Sequence, residues 1–150
     1  MSLDTGRQAI EAYFIANWTA TPYGLDAQSF TPAYNSVRLS ITDGAVMQNS
    51  IGRVQNVYNN IGLVTFQIYT DGQLGSSSWR GYGEALEALF FNVTLDANGA
   101  VITDQSQTPL VRFCPPELGD SRFPYVGPFS APAPFNVATI ICPFIRYETR

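Results

Sequence analysis

The sequence predicts a single α+β domain in which two helices pack on one face of a mixed or antiparallel β-sheet, with a projecting hairpin arm and a Pro-rich loop. Three observations support this prediction. The chain has 150 residues, which is the size of one ordinary domain. Two segments repeat apolar residues at helical spacing, while several others alternate them as strands do. The segments follow the order helix, strands, helix, strands, which is typical of an α+β fold.

The first helix is predicted over residues 5–18. Thr5 and Gln8 have the spacing of a capping box, in which each side chain accepts or donates to the other's backbone. An apolar stripe then follows at helical spacing, made of Ile10, Tyr13, Phe14 and Trp18. The segment Thr21-Pro22-Tyr23-Gly24 ends the helix because proline and glycine do not continue it.

The next elements are a strand and an arm. Residues 37–42 alternate apolar and polar side chains, and Asp43-Gly44 indicates a turn at the end of that strand. Residues 45–60 then crowd uncharged Asn, Gln and Ser side chains between aliphatic ones, with Gly52 near the midpoint. We interpret this segment as an extended hairpin arm that projects from the body.

A second strand and a second helix follow the arm. Residues 63–70 alternate as a strand does, and Asp71-Gly72 closes it. The helix is predicted to begin with Ser77 or Ser78 as its cap and to end near Asn92. Its apolar stripe consists of Tyr82, Ala85, Leu86, Leu89 and Phe90.

The C-terminal half contains shorter elements and one long strand. Short strands are predicted at 93–95, 100–103 and 110–114, the first two joined by a tight turn. Residues 115–134 hold six prolines and two glycines, so we expect a loop without regular structure outside the sheet interior. Residues 135–147 are apolar on both faces, which places this strand in the middle of the layered structure or beneath another subunit.

The composition disfavours most enzyme classes. The chain contains no His and no Lys, and its twelve carboxylates and eight arginines give a formal charge of −4. An imidazole base, a Schiff-base lysine and an imidazole metal ligand are therefore excluded. The arginines are scattered, so a groove that tracks nucleic-acid phosphates is not expected. We predict no catalytic residue, no cofactor and no metal site.

Smaller motifs have ordinary structural explanations. Asp43 and Asp71 both precede glycine at strand ends, and we interpret them as turn residues rather than as an acid–base pair. Cys114 and Cys142 are interpreted as buried thiols in a reducing cytoplasm. The N-terminus lacks the pattern of a signal peptide, and no apolar run reaches the roughly 18 residues that span a bilayer. No membrane association is therefore expected.

Several segments resemble those of a known family. They are the helix at 8–12, the strand at 37–40, the strand and glycine at 62–69, the helix at 82–90, and the closing strand at 140–147, which ends Pro-Phe-Ile-Arg-Tyr. In this order they cover most of the chain and resemble the tail terminator-like (tail completion) family of long-tailed bacteriophages. The Pro-rich loop at 115–134 is longer and more aromatic than is expected of that family.

The resemblance implies a structural function without catalysis. It implies a virion protein, assembled in the host cytoplasm, that forms a ring of six copies in the phage neck. One face of that ring would bind the tail tube protein and stop tube polymerisation. The other would join a head-tail connector or stopper protein, and DNA would pass through the channel without specific binding.

The arm and the Pro-rich loop are the predicted contact regions, because of their length, their polarity and their lack of periodicity. The candidate interaction residues are Met47, Gln48, Asn49, Ile51, Arg53, Gln55 and Tyr58 in the arm and Phe123, Tyr125 and Phe129 in the loop.

Two alternatives stay open. In the same setting, the chain could be a head-tail stopper or a subunit of the tail tube. In a different class, it could be a small carbohydrate- or ligand-binding module that stacks its ligand on Tyr23, Trp79 or Tyr125.

Overall fold

The protein forms two α-helices and seven β-strands in the part of the chain that its structure, a computed structural model, describes: residues 3–52, 54–104 and 106–149. The elements in chain order are α1 Leu3–Asn17, β1 Tyr23–Gly24, β2 Ser36–Gln48, β3 Val57–Asp71, α2 Ser77–Leu89, β4 Thr94–Leu95, β5 Val111–Phe113, a 3-10 segment Pro116–Arg122, β6 Tyr125–Val126 and β7 Phe135–Thr149. Neither α-helix within those residues has the length and apolar character needed to cross a membrane.

The sheet is mixed, with the order β1-β2-β3-β7-β5-β4, and β6 also pairs with β7. β3 and β7 are antiparallel over their whole length, from the pair Val57–Thr149 to the pair Asp71–Phe135. Because β5 and β6 pair with its other edge, β7 lies in the sheet interior. The predicted α+β fold and the central position of the last strand are confirmed.

Both helices pack on the same face of the sheet. The Phe66 ring of β3 lies 5.4 Å from the Phe14 ring of α1 and 5.1 Å from the Phe90 ring that follows α2. The Tyr13 hydroxyl also donates a hydrogen bond of 2.7 Å to the Leu89 carbonyl, which satisfies one of the unpaired acceptors at a helix end. The predicted stripe of α1 is buried as expected.

The predicted helix ends need correction. α1 begins at Leu3, so Thr5 lies inside the helix and does not cap it; Gln8 Nε2 instead donates 2.7 Å to the Asp4 carboxylate. α2 ends at Leu89, and Ser76 precedes it without a side-chain capping bond. Ala85, which the predicted stripe of α2 included, is exposed.

The turn predicted at Asp43-Gly44 is wrong, because β2 continues to Gln48. The pairing with β3 moves from Asp43–Gly62 to Val46–Asn60, so three steps on β2 match two on β3. This one-residue excess is a β-bulge, which lets the strand continue with a local change of direction. The arm predicted at 45–60 is therefore the far end of a long hairpin. Because Val57 pairs with Thr149 of β7, its base belongs to the sheet.

The Pro-rich loop has more regular structure than predicted. It contains the 3-10 segment, which kinks at Gly119 where φ is +60°, and the short strand β6. Ser130 then forms an isolated bridge to Val137 of β7. The prolines are tolerated because this segment follows the edge of β7 and joins the sheet only through the short edge strand β6. The strand predicted at 100–103 is reduced to a single bridge between Val101 and Leu95.

Candidate interaction surface

The described residues of the arm tip, 49–52 and 54–56, form hydrogen bonds among themselves and with the strands at its base. Asn49 N–H donates 2.7 Å to the Val57 carbonyl, and Val57 N–H donates 2.8 Å to Ser50 Oγ. Gln48 Nε2 donates 2.8 Å to the Ser50 carbonyl, and the Asn56 side chain accepts a bond from Gly52 N–H. Short polar side chains that bond nearby backbone explain why Asn, Gln and Ser are frequent here.

The arm tip presents aliphatic side chains to solvent. Ile51 is 97% exposed and Val54 is 89% exposed, while Met47, just before the tip, is 40% exposed. Gln55 is also exposed, whereas Tyr58 is half-buried, and its backbone pairs with Gln48 on one side and Glu148 on the other. Arg53, the other candidate in the arm, lies outside the described residues. Exposed aliphatic side chains that lie close together are typical of a surface that another protein covers.

The aromatic candidates of the Pro-rich segment, residues 115–134, partly serve to attach it to the body. The Phe123 ring stacks on Phe91 at 5.6 Å, and the Phe129 ring lies 5.9 Å from Trp79. Tyr125 in β6 is 46% exposed and Phe129 is 51% exposed, so both still offer surface to a partner. A groove of about 470 Å³ lies beside this segment, lined by Leu63, Leu118, Asp120, Ser121, Phe123, Pro124, Tyr125 and Pro143.

The structure does not bring the two groups of candidates together. Tyr125 pairs with Ile141, which pairs with Thr65 of β3, whereas the arm tip begins beyond Val57 of the same strand. Eight residues of extended strand separate Thr65 from Val57, a distance of about 26 Å at 3.3 Å per residue. One molecule therefore presents two separate contact regions.

A buried polar cluster at the base of the arm was missed by the sequence reasoning. Arg146 is 3% exposed, and its Nη1 lies 3.6 Å from Glu148 Oε2. Asn60 Nδ2 donates 3.1 Å to the same carboxylate oxygen. Neither Nε nor Nη1 of Arg146 donates a hydrogen bond to a group among the described residues. The sequence feature that could have indicated this cluster is Arg-Tyr-Glu in β7. Alternate residues of a strand share a face, so both charges lie on the face that α1 covers.

A cavity of about 420 Å³, called here the Arg146 cavity, opens beside this cluster. Its rim includes two exposed aliphatic side chains, Leu3 and Val46. The other lining residues are Asp43, Gly44, Asn60, Arg146 and Glu148. With two carboxylates and one guanidinium, the cavity has a formal charge of −1, so it disfavours an anion and suits a neutral polar group or a cation.

Three other groups that the sequence suggested are not assembled among the described residues: an Asp43–Asp71 pair, a metal site and a stacking site at Trp79. Asp43 pairs with Gly62, nine residues along β3 from Asp71, so the two carboxylates lie about 30 Å apart. Within the described residues, no three His, Cys, Asp or Glu side chains are grouped to bind a metal. Trp79 is only 6% exposed, with the Arg80 guanidinium 4.5 Å from its ring centre. It is therefore not available to stack a sugar.

The two cysteines are free and buried, and they lead to a first prediction. Burial raises the pKa of the Cys142 thiol well above its usual range, and nearby Cys114 adds to the effect. Because the thiolate is the reactive form, we expect a thiol reagent at neutral pH to label the folded protein at least about 100-fold more slowly than the unfolded protein. Labelling at equal rates with and without denaturant would contradict this arrangement.

Comparison with known proteins adds information about the fold only. No protein-family model matches the chain, and no curated protein matches it. The chain is similar to a solved structure whose name carries no functional information, with a TM-score of 0.64 and 19% sequence identity. The alignment covers 97% of this chain and 96% of that one. At this sequence identity the similarity supports the fold and carries no information about function.

Proposed function

We propose that this protein is a structural virion subunit of the tail terminator type. In this proposal, copies of the chain assemble in the host cytoplasm into a ring, of six by analogy with the family it resembles. The ring caps the tail tube, stops its polymerisation and joins it to the head-tail connector. The protein acts by shape and subunit contact, without catalysis or a cofactor.

The observation that carries the proposal is the exposed, preorganised arm tip. Burying one aliphatic side chain of the size of Ile51 or Val54 contributes about 1.5–3 kcal/mol. The hydrogen bonds that join Asn49 and Ser50 to Val57 hold the base of the tip, which lowers the conformational entropy lost on contact. Two neighbouring exposed aliphatic side chains are a suitable anchor for protein association.

The charge balance supports a conduit for DNA. The chain has a net charge of −4, and its eight arginines are scattered along the sequence, so we expect no continuous phosphate-binding surface in a ring of such subunits. Strong phosphate binding would slow the passage of DNA, because each neutralised phosphate releases counterions and adds affinity. We therefore propose that DNA passes through the channel without specific contacts.

The ring itself is tested by native mass spectrometry and by class averages of the purified protein in the electron microscope. We expect closed rings with an open centre. Open filaments would favour the tube-subunit alternative, because a head-to-tail contact that does not close continues to grow. A monomer at all concentrations would contradict the proposal, and saturable sugar binding by that monomer would favour the carbohydrate-binding alternative.

The contact role of the arm tip is tested by the double substitution Ile51→Ser and Val54→Ser. Both side chains are exposed, so the thermal unfolding midpoint should stay within about 2 °C of the unmodified protein. We expect ring assembly to require at least about 10-fold more protein, and tail tubes to grow beyond their normal length.

The matched control is Leu74→Ser, which removes another exposed aliphatic side chain at the opposite end of β3. It should assemble and cap tubes like the unmodified protein. Normal rings and normal tubes with the double variant would show that the arm tip is not the contact.

A further inference from the structure

The outer edge of β2, the side that faces away from β3, is paired only along the first part of the strand. β1 pairs with Val37 and Arg38. A little further on, Ile41 N–H donates a hydrogen bond of 2.9 Å to the Asp26 carboxylate. Beyond Ile41, no described residue pairs with this edge. An unpaired edge presents free N–H and C=O groups, to which another strand can add.

The pairing of β2 with β3 determines which backbone groups lie on that edge. Asn49 N–H donates to the Val57 carbonyl, so these two residues form a hydrogen-bonded pair. Hydrogen-bonded and non-hydrogen-bonded pairs alternate along an antiparallel ladder. Met47 therefore bonds to β3, whereas the N–H and C=O groups of Val46 and Gln48 point away from it. Each copy thus offers two donors and two acceptors at its free edge.

The side chains of this segment leave the edge open. Edge strands are commonly blocked by proline or by charged side chains, lysine above all. Residues 44–48 are Gly-Ala-Val-Met-Gln and contain no proline and no charge. Val46 is 48% exposed and Met47 is 40% exposed, and the two side chains lie on opposite faces of the strand. An added strand would therefore find apolar contacts on both faces.

The strand that matches this edge is β2 of a second copy. Among the described residues, the other edge strands, β1, β4 and β6, have two residues each, and the outer edge of β7 already pairs with β5 and β6. We propose that two copies pair antiparallel through β2, with Val46 of each copy opposite Gln48 of the other. This register forms four backbone hydrogen bonds, two donated by each copy, and places the two Met47 side chains against each other at the two-fold axis.

Charge favours the antiparallel arrangement. The charged residues of β2 are Arg38 and Asp43, and Asp43 lies four residues before Met47. In the antiparallel pair the two Asp43 carboxylates are eight residues apart, or about 25 Å at 3.3 Å per residue. That distance exceeds the Debye length of about 8 Å at physiological salt, so their repulsion is screened. Parallel pairing in register would place the two carboxylates side by side.

This contact goes beyond the proposed function. It joins the same surface of two copies, so it closes at two copies, whereas a ring needs a head-to-tail contact elsewhere on the molecule. The inference is therefore a two-fold dimer in which one continuous sheet crosses the axis. Ring formation does not require that dimer, and the two proposals can fail separately.

The test places charges at the two-fold axis. Met47→Lys and Met47→Glu each bring two like charges together and remove the apolar contact between the methionines. We expect the dissociation constant of the dimer, measured by analytical ultracentrifugation, to rise at least about 10-fold for either variant alone. An equimolar mixture of the two should form a mixed dimer, seen by native mass spectrometry, at least about 10-fold more tightly than either variant pairs with itself.

The matched controls are Leu74→Lys and Leu74→Glu, which make the same changes at an exposed aliphatic side chain outside β2. Alone and mixed, they should dimerise like the unmodified protein. Amide exchange measured by NMR then tests the register. The amides of Val46 and Gln48 should exchange at least about 10-fold more slowly in the dimer than in the diluted monomer, while the Met47 amide, bonded to β3, is slow in both.

Several results would overturn the β2 contact and leave the ring proposal in place. They are rings without a two-fold contact, dimers that neither Met47 variant weakens, a mixture no tighter than its components, and equal effects of the Leu74 controls. Protection of Val46 and Gln48 that appears only when purified tail tubes are added would assign the edge to the tube protein instead. Dimers with the expected exchange pattern, but no rings, would contradict the proposed function and support this contact.

Discussion

Replacing Phe66 with alanine is expected to lower the free energy of unfolding by about 3–5 kcal/mol. Phe66 is fully buried at the centre of the helix-covered face of β3. Its ring joins the two helices, since Phe14 and Phe90 pack on it from different elements. Truncation therefore leaves a cavity between three elements, and neither helix can move in to fill it without losing its other contacts.

The measurement is urea unfolding followed by circular dichroism, with the thermal midpoint expected to fall by about 10 °C or more. Phe129→Ala is the matched control, because it removes the same ring from a half-exposed position. That control should cost no more than about 1.5 kcal/mol, from its contact with Trp79. Equal losses from the two variants would show that the core is not organised around Phe66.

The elements with strong local patterns could be predicted from the sequence. β7 is apolar on both faces from Val137 to Ile145, which indicated a strand covered on both faces by the rest of the chain or by another subunit. Within one molecule, Ile140 and Phe144 on one face and Val137 and Ile145 on the other are buried. The apolar stripe of α1 was predicted for the same reason, because the helical spacing of its apolar residues gives the buried face of the helix directly. In both cases the signal extends over nine residues.

The errors arose where a local signal competes with tertiary pairing. Asp43-Gly44 has the sequence of a turn, yet continued pairing with β3 turns it into a bulge. Pro115-Pro116 and the prolines after it suggested an irregular loop, yet the free edge of β7 organises that segment as β6 and a bridge. Neighbouring strands supply hydrogen bonds that no short sequence window contains.

The candidate site was predictable in part for the same reason. Uncharged polar residues around aliphatic ones indicated an exposed arm, and the exposure of Ile51 and Val54 agrees with that interpretation. The Arg146 cavity was not predictable, because it depends on α1 lying across the far end of β7. Gly6 shows this dependence. It lies in close contact with the Arg146 side chain, and that contact is visible only once the position of β7 beneath α1 is known.

The burial of Arg146 leads to the second prediction with a large expected effect on the free energy of unfolding. Arg146→Ala would remove the buried guanidinium that lies 3.6 Å from the buried Glu148 carboxylate, at an expected cost of about 3–5 kcal/mol. Replacing both partners, as Arg146→Met with Glu148→Leu, removes the charges together and should cost much less, because buried ion pairs gain little over apolar packing. A double variant as unstable as Arg146→Ala would contradict this explanation.

Gly6 provides an independent test of where the Arg146 side chain lies. A Cβ atom added to Gly6 would come 2.5 Å from Arg146 Cδ, so Gly6→Ala should destabilise the protein by about 1–3 kcal/mol. In the Arg146→Ala background this clash is absent, and the same substitution should stabilise helix α1 by about 0.5–1 kcal/mol.

The control for this reversal is Gly81→Ala in α2, where an added Cβ meets no atom within 4 Å. It should be stabilising by the same amount in both backgrounds. A change of sign at Gly6 but not at Gly81 would give a coupling energy of about 2 kcal/mol between Gly6 and Arg146, which only direct contact explains. If Gly6→Ala has the same sign in both backgrounds, Arg146 does not pass beneath α1.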